Sequence, residues 1–387
     1  MKRPLPILSG DSHQEDQQID ICMTCPKLCR WACPVAESEG RETSTPWNLV
    51  NASGFVKRGW SKIEDYAELP FLCTHCGACS DVCLHSNDVP AILTLGRARV
   101  LDAGLASPKV VEVRDKFAIN GNPYGRDLVP ELMGHADSLL PSTTSRDDEN
   151  KSLYFAGCSA IAEQPESVSA FARVVSKYGL QSVKVSELSA QCCGLPLLWA
   201  GDVDSFREHA TRVAAKLSEE DSVIVHDSAC AHAFVERYPE MGVTLDTKIS
   251  TVTEFLHGEL IEGREDTGSP KKFADFAISE CCHTRNGLQR KGTEYALISS
   301  ATGSIPRELN DLTGNMHDCC GAAGLLPITR PNTAREMASA KIVALRQSDA
   351  SRLTSFSPRC IAHLRSVAPK EKVIDAMEIL AAHTEDF

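Results

Sequence analysis

Seventeen cysteines, most of them in tight runs, restrict what this 387-residue chain can fold into more than any other feature. Eight lie between Cys22 and Cys83, none follows until Cys158, and several of the rest are adjacent pairs: Cys192-Cys193, Cys281-Cys282 and Cys319-Cys320. Adjacent cysteines cannot pair with each other without strain, and an odd total leaves no closed disulfide framework. A chain of this length buries enough core to need no covalent staples. Its opening, MKRPLPILSGDSHQEDQQ, has a basic tip but no apolar stretch of signal-peptide length. Metal ligation in a reducing compartment is the reading that remains.

Charge and hydropathy narrow the surroundings. The net charge is −12 and no Lys/Arg block occurs, which argues against a nucleic-acid partner. No run of about 18 apolar residues is present to span a bilayer. The expectation is a cytoplasmic protein that reaches the inner face of a membrane, if at all, through a partner.

Two cysteine runs carry the chemistry of the first third. Cys73-Thr-His-Cys76-Gly-Ala-Cys79-Ser-Asp-Val-Cys83 has the C-x2-C-x2-C-x3-C spacing of bacterial ferredoxins. Three closely spaced thiolates wrap one face of a cubane, Gly77 gives the turn its freedom, and the fourth thiolate reaches a second cluster. A structural zinc needs only two pairs of ligands, so the crowded third cysteine favours iron–sulfur. The earlier run, Cys22-Met-Thr-Cys25-Pro-Lys-Leu-Cys29-Arg-Trp-Ala-Cys33-Pro34, has one extra residue before its third cysteine. Exchange of fourth ligands gives one [4Fe–4S] cluster to Cys22, Cys25, Cys29 and Cys83, and the other to Cys73, Cys76, Cys79 and Cys33. His75 and His85 are expected at the surface near a cluster, Trp31 and Pro34 against it, and Arg97 and Arg99 on a solvated helix face.

Beyond a polar stretch at 140–151 the pattern becomes strand–helix alternation. Ser152–Ala156, Ser182–Val185, Ser222–His226, Phe273–Ser279 and Arg352–Phe356 read as strands. Helices are expected over Glu166–Tyr178, Val203–Leu217, Gly292–Ser300 and Thr333–Arg346, and from Pro358. The predicted organisation is a flexible 1–20, a helical two-cluster ferredoxin domain over 21–139, a linker at 140–151, and an α/β region over 152–387. That region divides into pseudo-symmetric halves at about 152–260 and 272–387. Cysteines recur at matching intervals in both: Cys158, Cys192-Cys193 and Cys230, then Cys281-Cys282, Cys319-Cys320 and Cys360. Several follow strands, where open α/β sheets assemble ligand sites. At least one further [4Fe–4S] cluster, cubane or noncubane, is expected on these nine residues.

The repeated Cys-Cys-Gly at Cys193-Gly194 and Cys320-Gly321, with the ferredoxin runs before it, resembles the family of heterodisulfide reductases and glycolate oxidase iron–sulfur subunits. The likeness covers the chain from about Cys22 to Cys360. It implies a two-cluster ferredoxin domain joined to tandem CCG cysteine-rich domains. It implies an electron-transfer subunit that takes electrons from a flavin-dependent dehydrogenase or electron-transfer flavoprotein and passes them to a quinone, a cytochrome or a disulfide. The alternative is a catalytic subunit that reduces a disulfide or quinone at a noncubane CCG cluster. The family pattern closes each repeat with C-x2-C, whereas Asp227 and Ser357 occupy the first position of that pair here. This leaves four thiols in the first half, and five in the second if Cys281 joins. No G-x-G-x-x-G follows a strand, so no dinucleotide site is expected.

Overall fold

The computed structural model describes residues 7–8, 12–139, 151–180, 182–262, 272–290, 292–309 and 319–383. The linker expected at 140–151 therefore lies outside the described residues except for Lys151.

The regular elements of residues 12–139 are all helices. Proline and capping residues set where the longer helices begin. Thr45 caps Pro46–Lys57 through the Asn48 amide, and Asp88 caps Val89–Asp102 through the Ala91 amide. The expectation of a flexible 1–20 fails for residues 12–20, because helix Ser12–Thr24 starts there. Its polar sequence hides the anchors. Ile19 is buried and Glu15 is bound by Arg99 at 2.6 Å and Lys57 at 3.1 Å. Arg99 is thus a tether for this helix rather than part of a solvated face.

The remainder holds two four-stranded parallel sheets. The first comprises β1 (Ser152–Phe155), β2 (Val183–Lys184), β3 (Ser222–Val225) and β4 (Lys248–Thr251), in the order β2-β1-β3-β4. The second comprises β5 (Phe273–Ile278), β6 (Ile305–Glu308), β7 (Arg352–Ser355) and β8 (Val373–Asp375), in the order β6-β5-β7-β8. The central strands carry short apolar runs, as strands covered on both faces require. Leu153, Tyr154 and Phe155 pair with Val223, Ile224 and Val225, while Ala277 and Ile278 pair with Leu353 and Thr354. The two halves interlock by exchanging their last helices. Val252–Leu260 packs on Thr293–Thr302, and Ala376–Ala382 packs on Pro165–Lys177. The fold is α/β, a helical segment followed by two pseudo-symmetric units.

Both units grip the helical part. Leu195–Ala200 packs on helices Val89–Asp102 and Pro108–Asn120, and Pro331–Gln347 packs on Pro34–Glu39. At the junction Arg97 is fully buried, against the expectation of a solvated face. It donates to Pro70 O (2.9 Å), Cys73 O (2.6 Å), Trp199 O (2.7 Å) and Gly324 O (3.1 Å). Three parts of the chain therefore end on one guanidinium, whose planar fork suits several acceptors at once. Burial pulls this group down to about 10.

Candidate functional site

All seventeen cysteines are free thiols, and the fold gathers them into four groups. Cys22, Cys25, Cys29 and Cys83 line one small apolar cavity, with Cys79 at its wall. The approach of Cys83 to the first run is what an exchanged fourth ligand requires. Cys33, Cys73, Cys76 and Cys79 line a second cavity, so Cys33 joins the run some forty residues ahead of it. Gly77 has φ +75, the left-handed conformation expected of this turn. Polar N–H groups aim at the sulfurs. Asn87 Nδ2 lies 3.1 Å from Cys22 Sγ, the Lys27 amide 3.3 Å from Cys25 Sγ, and the His75 amide 3.3 Å from Cys73 Sγ.

These donors suit thiolates bound to a metal centre, since such bonds offset negative charge on sulfur. Burial pushes the thiols of Cys22 and Cys33 up to about 12 and that of Cys29 up to about 11. They ionise only where a cation takes the proton's place. Buried, converging thiols of this kind fit iron–sulfur centres.

The third group belongs to the first sheet. Cys158 follows β1, Cys192 and Cys193 follow the turn after β2, and Cys230 follows β3. Cys158 and Cys192 are 3.2 Å apart, and Cys193 bonds both Cys192 and Cys230. The fourth group repeats this at the second sheet. Cys281, Cys282, Cys319, Cys320 and Cys360 line one cavity. Cys282 and Cys319 are 3.8 Å apart, and Cys360 bonds Cys281 and Cys320. Cys281 therefore stands with the other four.

Asp227 and Ser357 meet at the seam between the halves. Each caps its own helix, through the Ala229 amide at 3.0 Å and the Cys360 amide at 3.5 Å. The remaining Asp227 oxygen accepts from Ser159 Oγ at 2.7 Å and faces Arg359 Nε at 3.7 Å. This carboxylate is committed to a helix end and a guanidinium, which leaves it poorly placed to replace a thiolate. Where the family pattern has a cysteine, this chain has a cap.

The second and fourth groups touch. The thiol of Cys76 is raised well above its ordinary value, first by its hydrogen bond with Cys319 and then by burial. Asn286 Nδ2 donates to Cys76 O at 3.0 Å. Gly324 (φ +67) lies so close to the ferredoxin run that a Cβ there would come within 2.3 Å of Cys73 O. The first half is joined to the helical part by other means, with Arg97 reaching it through Trp199 O.

Aromatic and histidine placements correct several expectations. Trp31 is 71% exposed rather than packed on a cluster, whereas Pro34 is buried. His85 is exposed, but His75 is buried beside Cys73 and Cys76. His232 and His283 are buried too, with ring centroids 5.3 Å apart. They are functional candidates that sequence reasoning passed over. The signal that could have found them was adjacency, since each lies within two residues of a cysteine.

Among the described residues no helix is long and apolar enough to cross a membrane. Residues 18–87 match the 4Fe-4S dicluster domain, and 152–235 and 278–365 match the cysteine-rich domain. The chain is similar to a subunit of the CoM/CoB fumarate reductase of Methanothermobacter marburgensis, 24% identical over 99% of this chain and 76% of that protein. It is similar to a subunit of the dihydromethanophenazine:CoB–CoM heterodisulfide reductase of Methanosarcina barkeri, 24% identical over 94% of this chain and 93% of that protein. The glycolate oxidase iron–sulfur subunit of Escherichia coli is 22% identical, over 91% of both chains. The chain belongs to the family of heterodisulfide reductase-like and glycolate oxidase iron–sulfur subunits, and its role is electron transfer as one subunit of an oxidoreductase.

Proposed function

We propose that this subunit relays electrons from a flavin-dependent dehydrogenase or electron-transfer flavoprotein, through two ferredoxin-type [4Fe–4S] centres, to the cysteine group of the second half. From there they pass to a quinone, cytochrome or other acceptor. Cys22, Cys25, Cys29 and Cys83 hold the outer centre, and Cys33, Cys73, Cys76 and Cys79 hold the inner one. The close seating of the second half on the inner run carries the reading: Asn286 donates to Cys76 O at 3.0 Å, Gly324 lies against Cys73 O, and Cys319 stands beside Cys76. Electron transfer weakens steeply with distance, and here the ligand of one centre adjoins the ligand of the next. The bound clusters supply one-electron redox chemistry; the chain supplies ligands, N–H donors and an apolar shell that sets their potentials. Arg97 contributes a buried cation beside Cys73, favouring added negative charge at the inner centre.

A second reading, a catalytic subunit acting at a noncubane centre of the second half, draws support from the five thiols around one cavity. Anaerobically prepared protein should contain roughly 12–16 iron atoms with matching sulfide, as three or four four-iron centres require. Cys33→Ser should damage the centre held by Cys73, Cys76 and Cys79, and Cys83→Ser the other, in paramagnetic resonance of the reduced protein. Stoichiometric zinc, or damage confined to each cysteine's own run, contradicts the assignment.

A further inference from the structure

A cleft of about 390 Å³ opens where the ferredoxin runs meet both halves. His75 enters it from the inner ferredoxin run, His232 from the first half and His283 from the second, and Cys76 forms part of its wall. Its volume is in the range of small-molecule sites. Two π-helical turns, Ala233–Arg237 and His283–Gly287, border it, a local geometry that recurs at functional sites. His75 Nε2 is buried with no hydrogen-bond partner. Its backbone has φ +59, which a non-glycine residue keeps only where the surroundings fix it. A buried ring nitrogen left in this state is costly to the fold and is satisfied when a ligand supplies the partner. Gly287 leaves room for a neighbouring ring, since a Cβ there would come within 2.9 Å of His232 Cδ2.

The lining charge restricts the ligand. Asp81, Asp88, Glu236 and Glu240 face one guanidinium, Arg237, a formal 1 − 4 = −3 apart from the histidines. Arg237 is itself held by Asp88 at 2.9 Å and Glu240 at 2.7 Å. An anionic acceptor is therefore disfavoured, while an uncharged molecule that accepts hydrogen bonds finds imidazole donors.

We propose that this cleft binds the terminal acceptor and that the acceptor is an uncharged quinone-type ring, its carbonyl oxygens bonded by His75 and His232. This rests on the relay reading. The ring takes two electrons, one at a time, from the reduced flavoprotein donor by way of the iron–sulfur centres. Each carbonyl oxygen takes one proton from water at the cleft mouth, so that quinone, two electrons and two protons give the hydroquinone.

The test uses the full cluster-loaded chain, with menadione and 1,4-naphthoquinone-2-sulfonate as probes, followed by calorimetry and by cluster paramagnetic resonance. Menadione should bind the oxidised protein in calorimetry and, added to the reduced protein, should discharge the resonance of the reduced centres as it takes their electrons. The sulfonate should bind at least roughly tenfold more weakly, and Asp81→Lys should recover several-fold of that loss. His75→Ala and Gly287→Ala should each weaken menadione roughly tenfold at unchanged iron content, about what one lost hydrogen bond implies. Sulfonate binding that equals or exceeds menadione binding, or both variants binding menadione like the parent, overturns the proposal. Centres that fill with electrons from a reduced flavoprotein while menadione fails to bind refute the cleft alone. Menadione binding to a chain whose centres never accept those electrons refutes the relay instead.

Discussion

The two cysteine-rich halves share strand order, cysteine positions and an exchanged helix, yet they are not equivalent sites. The first half brings four thiols together and turns Asp227 toward its neighbour. The second gathers five thiols and lies against Cys76 of the inner ferredoxin group. The ferredoxin part thus breaks a near-symmetry that the sheets alone would keep. A repeated fold places thiols twice, and on the proposed relay a docked third part decides which copy is wired. Sheet topology explains where cysteines can gather, while asymmetry of contact sets the two groups apart.

The largest expected difference is in metal content. Cys320→Ala should remove about four iron atoms, whereas Cys193→Ala should remove fewer, and mild oxidation should release iron from the first half before the second. Iron analysis with visible spectra checks this. A full cluster lost from Cys193→Ala with none lost from Cys320→Ala reverses the ranking of the halves.

Arg97 joins the ferredoxin run to both halves, so its removal tests the docking itself. Arg97→Ala leaves four buried carbonyl oxygens without their shared donor and should destabilise the folded chain by about 3–5 kcal/mol. Denaturant titration checks it against Arg30→Ala, whose partly exposed pair with Glu42 is worth less than about 1 kcal/mol. Equal effects would mean that the junction is not held at Arg97.

A smaller contrast separates the halves by pH. Thr251 and Asp375 occupy equivalent positions, each ending the last strand of its sheet and capping the exchanged helix. Burial raises the Asp375 carboxyl from 3.8 to about 6. The folded state therefore holds this proton more tightly than the unfolded chain, and the stability it contributes below pH ~4 is lost as pH rises through about 6. Asp375→Thr should gain about 1–3 kcal/mol over the parent at pH ~7.5, and that gain should shrink toward pH ~5. A gain that does not change with pH contradicts the assignment.

Much of this architecture is legible in the sequence because it is local. The cysteine runs announce their chemistry by spacing, and β1, β3, β5 and β7 announce themselves as short apolar runs. The edge strands β4, β6 and β8 escape notice: KIST is mostly polar, IPRE contains a proline, and VID has three residues. Helix Ser12–Thr24 escapes because its anchors, Arg99 and Lys57, are remote in sequence. Arg97 looks like an ordinary helix-surface residue until the chain folds, since two of its acceptors lie 102 and 227 residues away. The cleft is likewise invisible in one dimension, being assembled from His75, His232 and His283 of three different parts.

The central claim is that the inner ferredoxin centre is wired to the second half rather than the first. Spin–spin coupling between centres in the fully reduced protein measures this most directly. The expected result is an interaction of the centre held by Cys33, Cys73, Cys76 and Cys79, beyond its coupling to the neighbouring centre of Cys22, Cys25, Cys29 and Cys83, that disappears in Cys320→Ala and persists in Cys193→Ala. If that additional coupling survives Cys320→Ala, or is lost only in Cys193→Ala, the claim is contradicted.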